Sequence, residues 1–114
     1  MWVSKYKSSK TIINGITFDS KKEGRRYEEL LLMQKAGIIS HLKLQPTFEL
    51  QPTFKKNGVT FRAIKYIADF QYMENGKTII EDVKASASFK TDVYKIKRKM
   101  FEYFFPNLEI REIY

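Results

Sequence analysis

Asp69, Asp82 and Lys84 are the residues of this chain whose types and spacing point most directly to chemistry. Asn75-Gly76 lies between two runs rich in β-branched and aromatic residues, the strongest short-range signal of a two-residue hairpin. Such a loop sets Glu74 opposite Lys77, and counting outward sets Asp69 opposite Asp82. Opposed residues on one face have Cβ atoms roughly 4.5 to 5.5 Å apart, and like charges there repel. Side chains alternate along a strand, so Lys84 shares the face of Asp82, whereas Glu81, a competing acid, projects with Val83 from the other. Two carboxylates so placed are relieved by protonation, by neighbouring cations or by a divalent ion between them. Lys84 offers partial neutralisation only. Mg²⁺, with Mn²⁺ as a substitute, takes one or two carboxylates plus waters and phosphate oxygens, which such a face provides. A turn longer by one residue would put the two aspartates on opposite faces, and the alternative is then a surface hairpin with a charged side.

The elements that must position these residues follow from local pattern. Ser20 to Ala36 opens with a capping box, Ser20 and Glu23, places Tyr27, Leu30, Leu31 and Gln34 on one stripe and stops at Gly37, which predicts a helix. Glu23 shares the stripe of Tyr27, Leu30 and Gln34 that must face the sheet. It either completes only the cap or adds a third acid, and the acidic pair on the sheet favours the second role. A further helix runs from about Asp92 to Phe105, with Thr91 as cap, Val93, Ile96, Met100, Phe101 and Phe104 as its apolar face, and Pro106 beyond. Asn14-Gly15 and Asn57-Gly58 predict two more hairpins, pairing Thr11 to Ile13 with Ile16 to Phe18, and Thr47 to Lys56 with Val59 to about Ile64. Pro46 and Pro52 cannot donate to a ladder, so the Thr47 to Lys56 segment is an edge strand or bent. The third hairpin joins Lys65 to Glu74 with Lys77 to Ala85; Ala68, Phe70, Tyr72, Ile79 and Val83 form its apolar face, to be packed under a helix. Leu108 to Ile113 closes the chain as a strand. The order implies an α/β sandwich on a mixed sheet, with the strand ending near Ala85 parallel to the last and joined to it by a right-handed crossover.

Composition bounds the rest. The 114 residues fit one domain, 1–114, with an N-terminal arm and hairpin at 1–19 and a core at 20–114. Nine Phe, seven Tyr and 43% hydrophobic residues describe a folded chain. With no cysteine, thiolate zinc sites and cysteine nucleophiles are excluded, and a reducing cytoplasm is the expected setting. No apolar run approaches the ~20 residues of a membrane span, and Met1 to Lys10 lacks a signal segment. Lys plus Arg number 21 against 13 Asp plus Glu, a formal charge of +8, so polyanions, and nucleic acid first among them, are the expected partners.

An acid on a first helix, Asp on one strand, acid-x-Lys on the next, then a helix and a strand: this arrangement resembles the PD-(D/E)XK nuclease superfamily. The stretches Phe18-Asp19-Ser20-Lys21-Lys22-Glu23, Arg26-Tyr27, Tyr66-Ile67-Ala68-Asp69-Phe70 and Glu81-Asp82-Val83-Lys84 are similar to small phage-encoded endodeoxyribonucleases related to Holliday junction resolvases. The resemblance spans most of the chain, although its core signature is four residues. It implies a restriction-endonuclease-like mixed β-sheet flanked by helices, with an αβββαβ core, preceded here by the N-terminal β-hairpin. It further implies that Glu23, Asp69 and Asp82 hold one or two Mg²⁺ ions and that Lys84 orients or activates the attacking water. Ala68 stands where many members carry proline, and Asp82 takes the less common option at the (D/E) position.

Phosphodiester hydrolysis needs a water activated near neutral pH and stabilisation of charge on the phosphate, both of which a bound metal supplies. A serine triad is not expected, because Ser86 and Ser88 lie far from the single His41. Basic residues on the two helices, among them Arg25, Arg26, Lys90 and Lys97, either track a phosphate backbone or form solvated faces. Lys97, spaced among Val93, Met100 and Phe104, either snorkels or reaches toward the site. The aromatics Tyr94, Phe101, Tyr103, Phe104 and Phe105 suit core packing better than base stacking. The expected activity is that of a metal-dependent DNA endonuclease, possible in homodimeric form. The rivals are a non-catalytic DNA-binding module, a metal-dependent RNA nuclease and a protein-interaction domain.

Overall fold

At three places an Asn in left-handed backbone precedes a Gly of the same hand: Asn14, Asn57 and Asn75 have φ 52°, 52° and 51°, and Gly15, Gly58 and Gly76 have φ 77°, 77° and 78°. Two successive positive φ values match the right-handed twist of paired strands, so each site closes a two-residue hairpin. The computed structural model describes residues 10–86, 88 and 90–114; the reading of Met1 to Lys10, except at Lys10, and most of the N-terminal arm lie outside the described residues. The elements in order are β1 (Thr11–Ile13), β2 (Ile16–Phe18), α1 (Lys21–Lys35), β3 (Ser40–Leu44), β4 (Thr47–Gln51), β5 (Phe54–Lys56), β6 (Val59–Phe61), β7 (Ile64–Ile67), β8 (Phe70–Glu74), β9 (Lys77–Val83), α2 (Asp92–Phe104) and β10 (Glu109–Ile113).

The protein is a mixed α/β fold on a mixed sheet. Its central sheet has the order β10-β9-β8-β3, with β8 antiparallel to β9 and β3, and β10 parallel to β9. The β9–α2–β10 crossover expected from the sequence is thus present as a parallel pair. Among the described residues no helix is long and apolar enough to cross a membrane.

Two cores lie on the two faces. Under α1, Phe18, Tyr27, Leu30, Ile39, Phe70, Tyr72 and Ile79 are buried together; under α2, Leu50, Tyr66, Ala68, Ile80, Phe101 and Ile110 are. The second core is largely aromatic, with Phe101 edge-on to Phe48 at 4.9 Å between ring centroids. Gly24 is buried where α1 meets the first hairpin, and a Cβ there would stand 2.7 Å from Thr11 Cγ2 and 2.8 Å from Ile13 Cδ1.

Four expectations need correction. The Thr47 to Lys56 strand is broken at Pro52: β4 pairs with β7 while β5 pairs with β6, because proline offers no donor where the ladder would continue. Ser40–Leu44, unassigned in the sequence reading, is the edge strand β3. The Lys65 to Glu74 strand is interrupted at Ala68 and Asp69, opposite Gln45 (φ 49°) and Pro46. There Gln45 N–H donates to the Asp69 carbonyl at 2.9 Å and Ala68 N–H to the Pro46 carbonyl at 3.1 Å. The interruption switches faces, so Ala68 belongs to the α2 core while Phe70 belongs to the α1 core. Finally, the buried side of α2 is rotated from the expected stripe. Phe101 is buried with Tyr94, Met100 and Phe105 packed beside it, whereas Val93, Ile96 and Phe104 are at least half exposed.

Candidate active site

The first turn of α1 and the interruption before β8 bring Glu23 and Asp69 together. Ser20 Oγ accepts from Glu23 N–H at 3.1 Å, so the cap forms, but the Glu23 carboxyl hydrogen-bonds Asp69. Asp69 is held on its other side by β9: its N–H donates to the Glu81 carbonyl at 3.0 Å, and its Oδ2 accepts from Val83 N–H at 2.7 Å. Burial first, and then the facing Glu23 charge, push the Asp69 carboxyl up to about 8; the Val83 hydrogen bond opposes them and the Asp82 charge reinforces them. Glu23 is raised as well, by burial and by the charges of Asp19 and Asp82, against the lowering effect of its hydrogen bond to Asp69. Both carboxyls are thereby shifted toward their protonated forms. They border a cavity of about 90 Å³ with Phe18, Leu44 and Gln45.

Asp82 and Lys84 form a second pair, on the α2 side of β9. Lys84 Nζ donates to Asp82 Oδ1 at 2.9 Å and stands 3.3 Å from the centroid of the Tyr94 ring, a cation–π contact. The Tyr66 hydroxyl donates to Asp82 Oδ2. Burial, followed by the Asp82 charge and that hydrogen bond, pushes the Tyr66 phenol well above its ordinary value. This pair opens into a cavity of about 280 Å³ lined also by Lys65, Tyr66, Tyr94 and Lys97. Tyr94 leads on to Glu112, whose carboxylate accepts from Tyr94 at 2.8 Å and pairs with Lys90 and Arg98, each at 2.8 Å. Burial works against ionisation of Glu112, but its hydrogen bonds with Lys90, Tyr114 and Tyr94 and the charge of Arg98 bring it down to about 2.

Hairpin counting was right as far as Phe70 opposite Glu81, where the ladder ends. Asp69 is thus not a ladder partner of Asp82 on one face. The four expected catalytic residues fall instead into two adjacent pairs, Glu23 with Asp69 and Asp82 with Lys84, whose charges act on each other across β9. Glu81 points the other way, as alternation predicts. It is fully buried and gripped by Arg26, Nε to Oε1 at 2.8 Å and Nη2 to Oε2 at 2.6 Å, and by the Tyr72 hydroxyl at 2.5 Å.

That grip gives Arg26 a structural task, and Lys90 is held by Glu112. Arg25 is exposed, and Lys97 is half-buried on the cavity beside Asp82. Sequence reasoning assigned no site role to Tyr66 or Gln45, read Tyr94 as core packing, and counted Lys22 only among the basic residues that track phosphate or form a solvated face. Lys22 Nζ donates to the Lys84 carbonyl at 2.8 Å, tying α1 to the end of β9. The one available signal was for the tyrosines, since a buried phenol needs a polar partner.

Among the described residues no group of three or more His, Asp or Glu converges closely enough to hold a metal by itself. The donors nevertheless suit a hard divalent ion. They are carboxylate oxygens, and the charges of Glu23, Asp69 and Asp82 oppose one another's ionisation, which a cation would relieve. Mg²⁺ commonly takes one or two carboxylates and keeps its waters, so a closed cage is not required.

No curated protein and no solved structure matches this chain. A family model described as "Protein of unknown function (DUF1064)" matches residues 3–114, nearly the whole chain, and the protein belongs to that family.

Proposed function

We propose that this protein is a metal-dependent DNA endonuclease of the PD-(D/E)XK type, hydrolysing phosphodiester bonds. The observation that carries the reading is the placing of Glu23 and Asp69, partly buried, on one cavity beside the strand end that also carries the Asp82–Lys84 ion pair. Like charges gathered at one strand end work against folding, which favours a site role for them. Glu23, Asp69 and Asp82 would supply the one or two carboxylates that Mg²⁺ or Mn²⁺ takes, with waters and phosphate oxygens completing the shell. When bound, the ion lowers the pKa of a water and polarises the phosphate oxygens.

The chain's own residues do the rest. Asp69 is fixed by Val83 N–H on Oδ2, which keeps its carboxyl aimed at the Glu23 side of the site. Glu23 and Asp69, shifted toward their protonated forms, would release protons to solvent on binding a cation. Tyr66 and Tyr94 confine Asp82 and Lys84, and the Lys84 ammonium orients a water or offsets charge gathering on the phosphate. Hydrolysis then adds the water oxygen to phosphorus, breaks the bond to the departing sugar oxygen and returns a proton to that oxygen. The net charge of +8 supplies attraction for the polyanion. A narrower form of the reading is cleavage of junctions or branched DNA in phage recombination, in the host cytoplasm and as a homodimer.

The rival reading, a DNA-binding module without catalysis, draws on the neutralisation of Asp82 by Lys84 and Tyr66 within the chain. The test is cleavage of labelled junction, flap, duplex and single-stranded DNA, and of matched RNA, with Mg²⁺, Mn²⁺ or EDTA. Metal-dependent cutting of DNA by wild type but not by Asp82→Asn or Lys84→Ala is expected. Binding without cutting in any metal leaves the module, and preferential cutting of RNA leaves a ribonuclease.

A further inference from the structure

Residues Pro52 to Arg62 are all exposed, and β5 and β6 pack against each other but, among the described residues, against no other strand or helix. A lone two-stranded hairpin is marginal in water. This one is held by the stack of Phe54 on Phe61, 4.9 Å apart and 12° from parallel, and at its base by Ala63 N–H donating to Thr53 Oγ1 at 3.0 Å. Both rings remain more than 40% exposed, so the stack does not seal an interior. From Gln51 to Ala68 the chain carries Lys55, Lys56, Arg62 and Lys65 and no acid. The hairpin continues directly into β7, where Lys65 and Tyr66 line the Asp82–Lys84 cavity.

We infer that β5–β6 is a groove-reading arm that enters the major groove of duplex DNA beside the point of cleavage. This deepens the nuclease reading and rests on it for the word cleavage, although not for binding. A two-stranded ribbon fits the B-form major groove, roughly 12 Å wide and 8.5 Å deep. Three residues per strand beyond the Thr53 joint, at ~3.3 Å each, together with the Asn57-Gly58 tip, span that depth. Lys55, Lys56 and Arg62 meet phosphates on the groove walls, while Phe54 and Phe61 keep the ribbon stiff. The A-form major groove is deep and too narrow for side chains to read, so the arm selects DNA duplex over RNA duplex.

The test is fluorescence-anisotropy binding of the full chain to a labelled DNA duplex, the matched RNA duplex and the single strand. It is run in EDTA across a salt series, with cleavage in Mg²⁺ followed separately. Wild type is expected to bind the DNA duplex tightest. The triple variant Lys55→Ala/Lys56→Ala/Arg62→Ala should lose about tenfold in DNA affinity. Its salt slope should fall by about 0.9 for each cation that met a phosphate. A control, Lys35→Ala/Lys77→Ala, removes two exposed charges elsewhere and should change binding less than twofold. Phe54→Ala/Phe61→Ala should weaken DNA binding while leaving the thermal midpoint of the core unchanged.

Equal DNA binding by the triple variant and wild type overturns the arm, and so does a wild type that prefers the RNA duplex or the single strand. Arm-dependent binding without metal-dependent cutting overturns the nuclease reading and leaves the arm. Cutting that ignores the triple variant does the reverse.

Discussion

Glu81 and Asp82 are consecutive, buried and on the same strand, yet the two faces of the sheet treat them differently. On the α1 face, Glu81 meets a guanidinium fork and a phenol; both carboxylate oxygens have partners and no solvent reaches it. The Arg26 guanidinium is held protonated more firmly than usual, chiefly by its hydrogen bonds to Glu81. On the α2 face, Asp82 meets a single flexible ammonium and a phenol, borders an open cavity and feels the charges of Glu23 and Asp69. A closed, saturated ion pair holds parts of a fold in register. A half-saturated acid beside two others whose ionisation is opposed is a place where charge is wanted from outside.

The widest gap between the two acids should appear in activity. Asp82→Asn keeps the shape and the Tyr66 partner but removes a charge, and cleavage in Mg²⁺ should fall about 10² to 10³-fold with little change in thermal midpoint. Gel-resolved single-turnover rates beside a melting curve measure both. Glu81→Ala should behave in the opposite sense. It strands a mostly buried Arg26 and a buried Tyr72, at a cost of about 3 kcal/mol in urea unfolding. If the two variants exchange these phenotypes, the assignment of structure to one face and chemistry to the other is wrong.

The pH dependence sharpens the same contrast. Folding raises the Asp69 carboxyl from 3.8 to about 8, so between those values the folded chain keeps a proton that the unfolded chain has lost. Stability should therefore fall as pH rises through that window and level off above it. Asp69→Asn, which mimics the protonated form, should flatten the slope in urea titrations at about pH 5 and about pH 8. Added Mg²⁺ should oppose the decline, since it replaces the proton. The smallest effect expected is that of Tyr66→Phe, which removes one hydrogen bond to a charged oxygen, about 1.5 kcal/mol, and leaves Lys84 in place. Chemical denaturation resolves a difference of that size.

Much of this arrangement was legible in the residues. Asn-Gly pairs fixed all three turns, the Ser20 cap fixed the start of α1, and alternation placed Glu81 opposite in direction to Asp82 and Lys84. Counting failed at one residue, Asp69, because it assumed an unbroken ladder. Pro46 and the left-handed Gln45 lie on the partner segment, distant in sequence, and their effect on Asp69 is a tertiary event that local pattern does not encode. The rotated face of α2 has a similar origin. Val93, Ile96 and Phe104 satisfy helical spacing as well as Tyr94, Phe101 and Phe105 do, and only the aromatic surface offered by Phe48 and Tyr66 decides between the two stripes.

Gly24 sits directly after Glu23, and the hairpin resting on it supplies Ile16, Thr17 and Phe18 to the rim of the Glu23–Asp69 cavity. The hairpin is in effect a roof, and the absent side chain sets the height of its eaves. Gly24→Ala, whose Cβ would stand 2.7 Å from Thr11 Cγ2 and 2.8 Å from Ile13 Cδ1, should push that roof outward and open the cavity, seen as faster amide hydrogen exchange over Ile16 to Phe18. The headroom over the two acids is thereby set at a position outside the lining of their cavity.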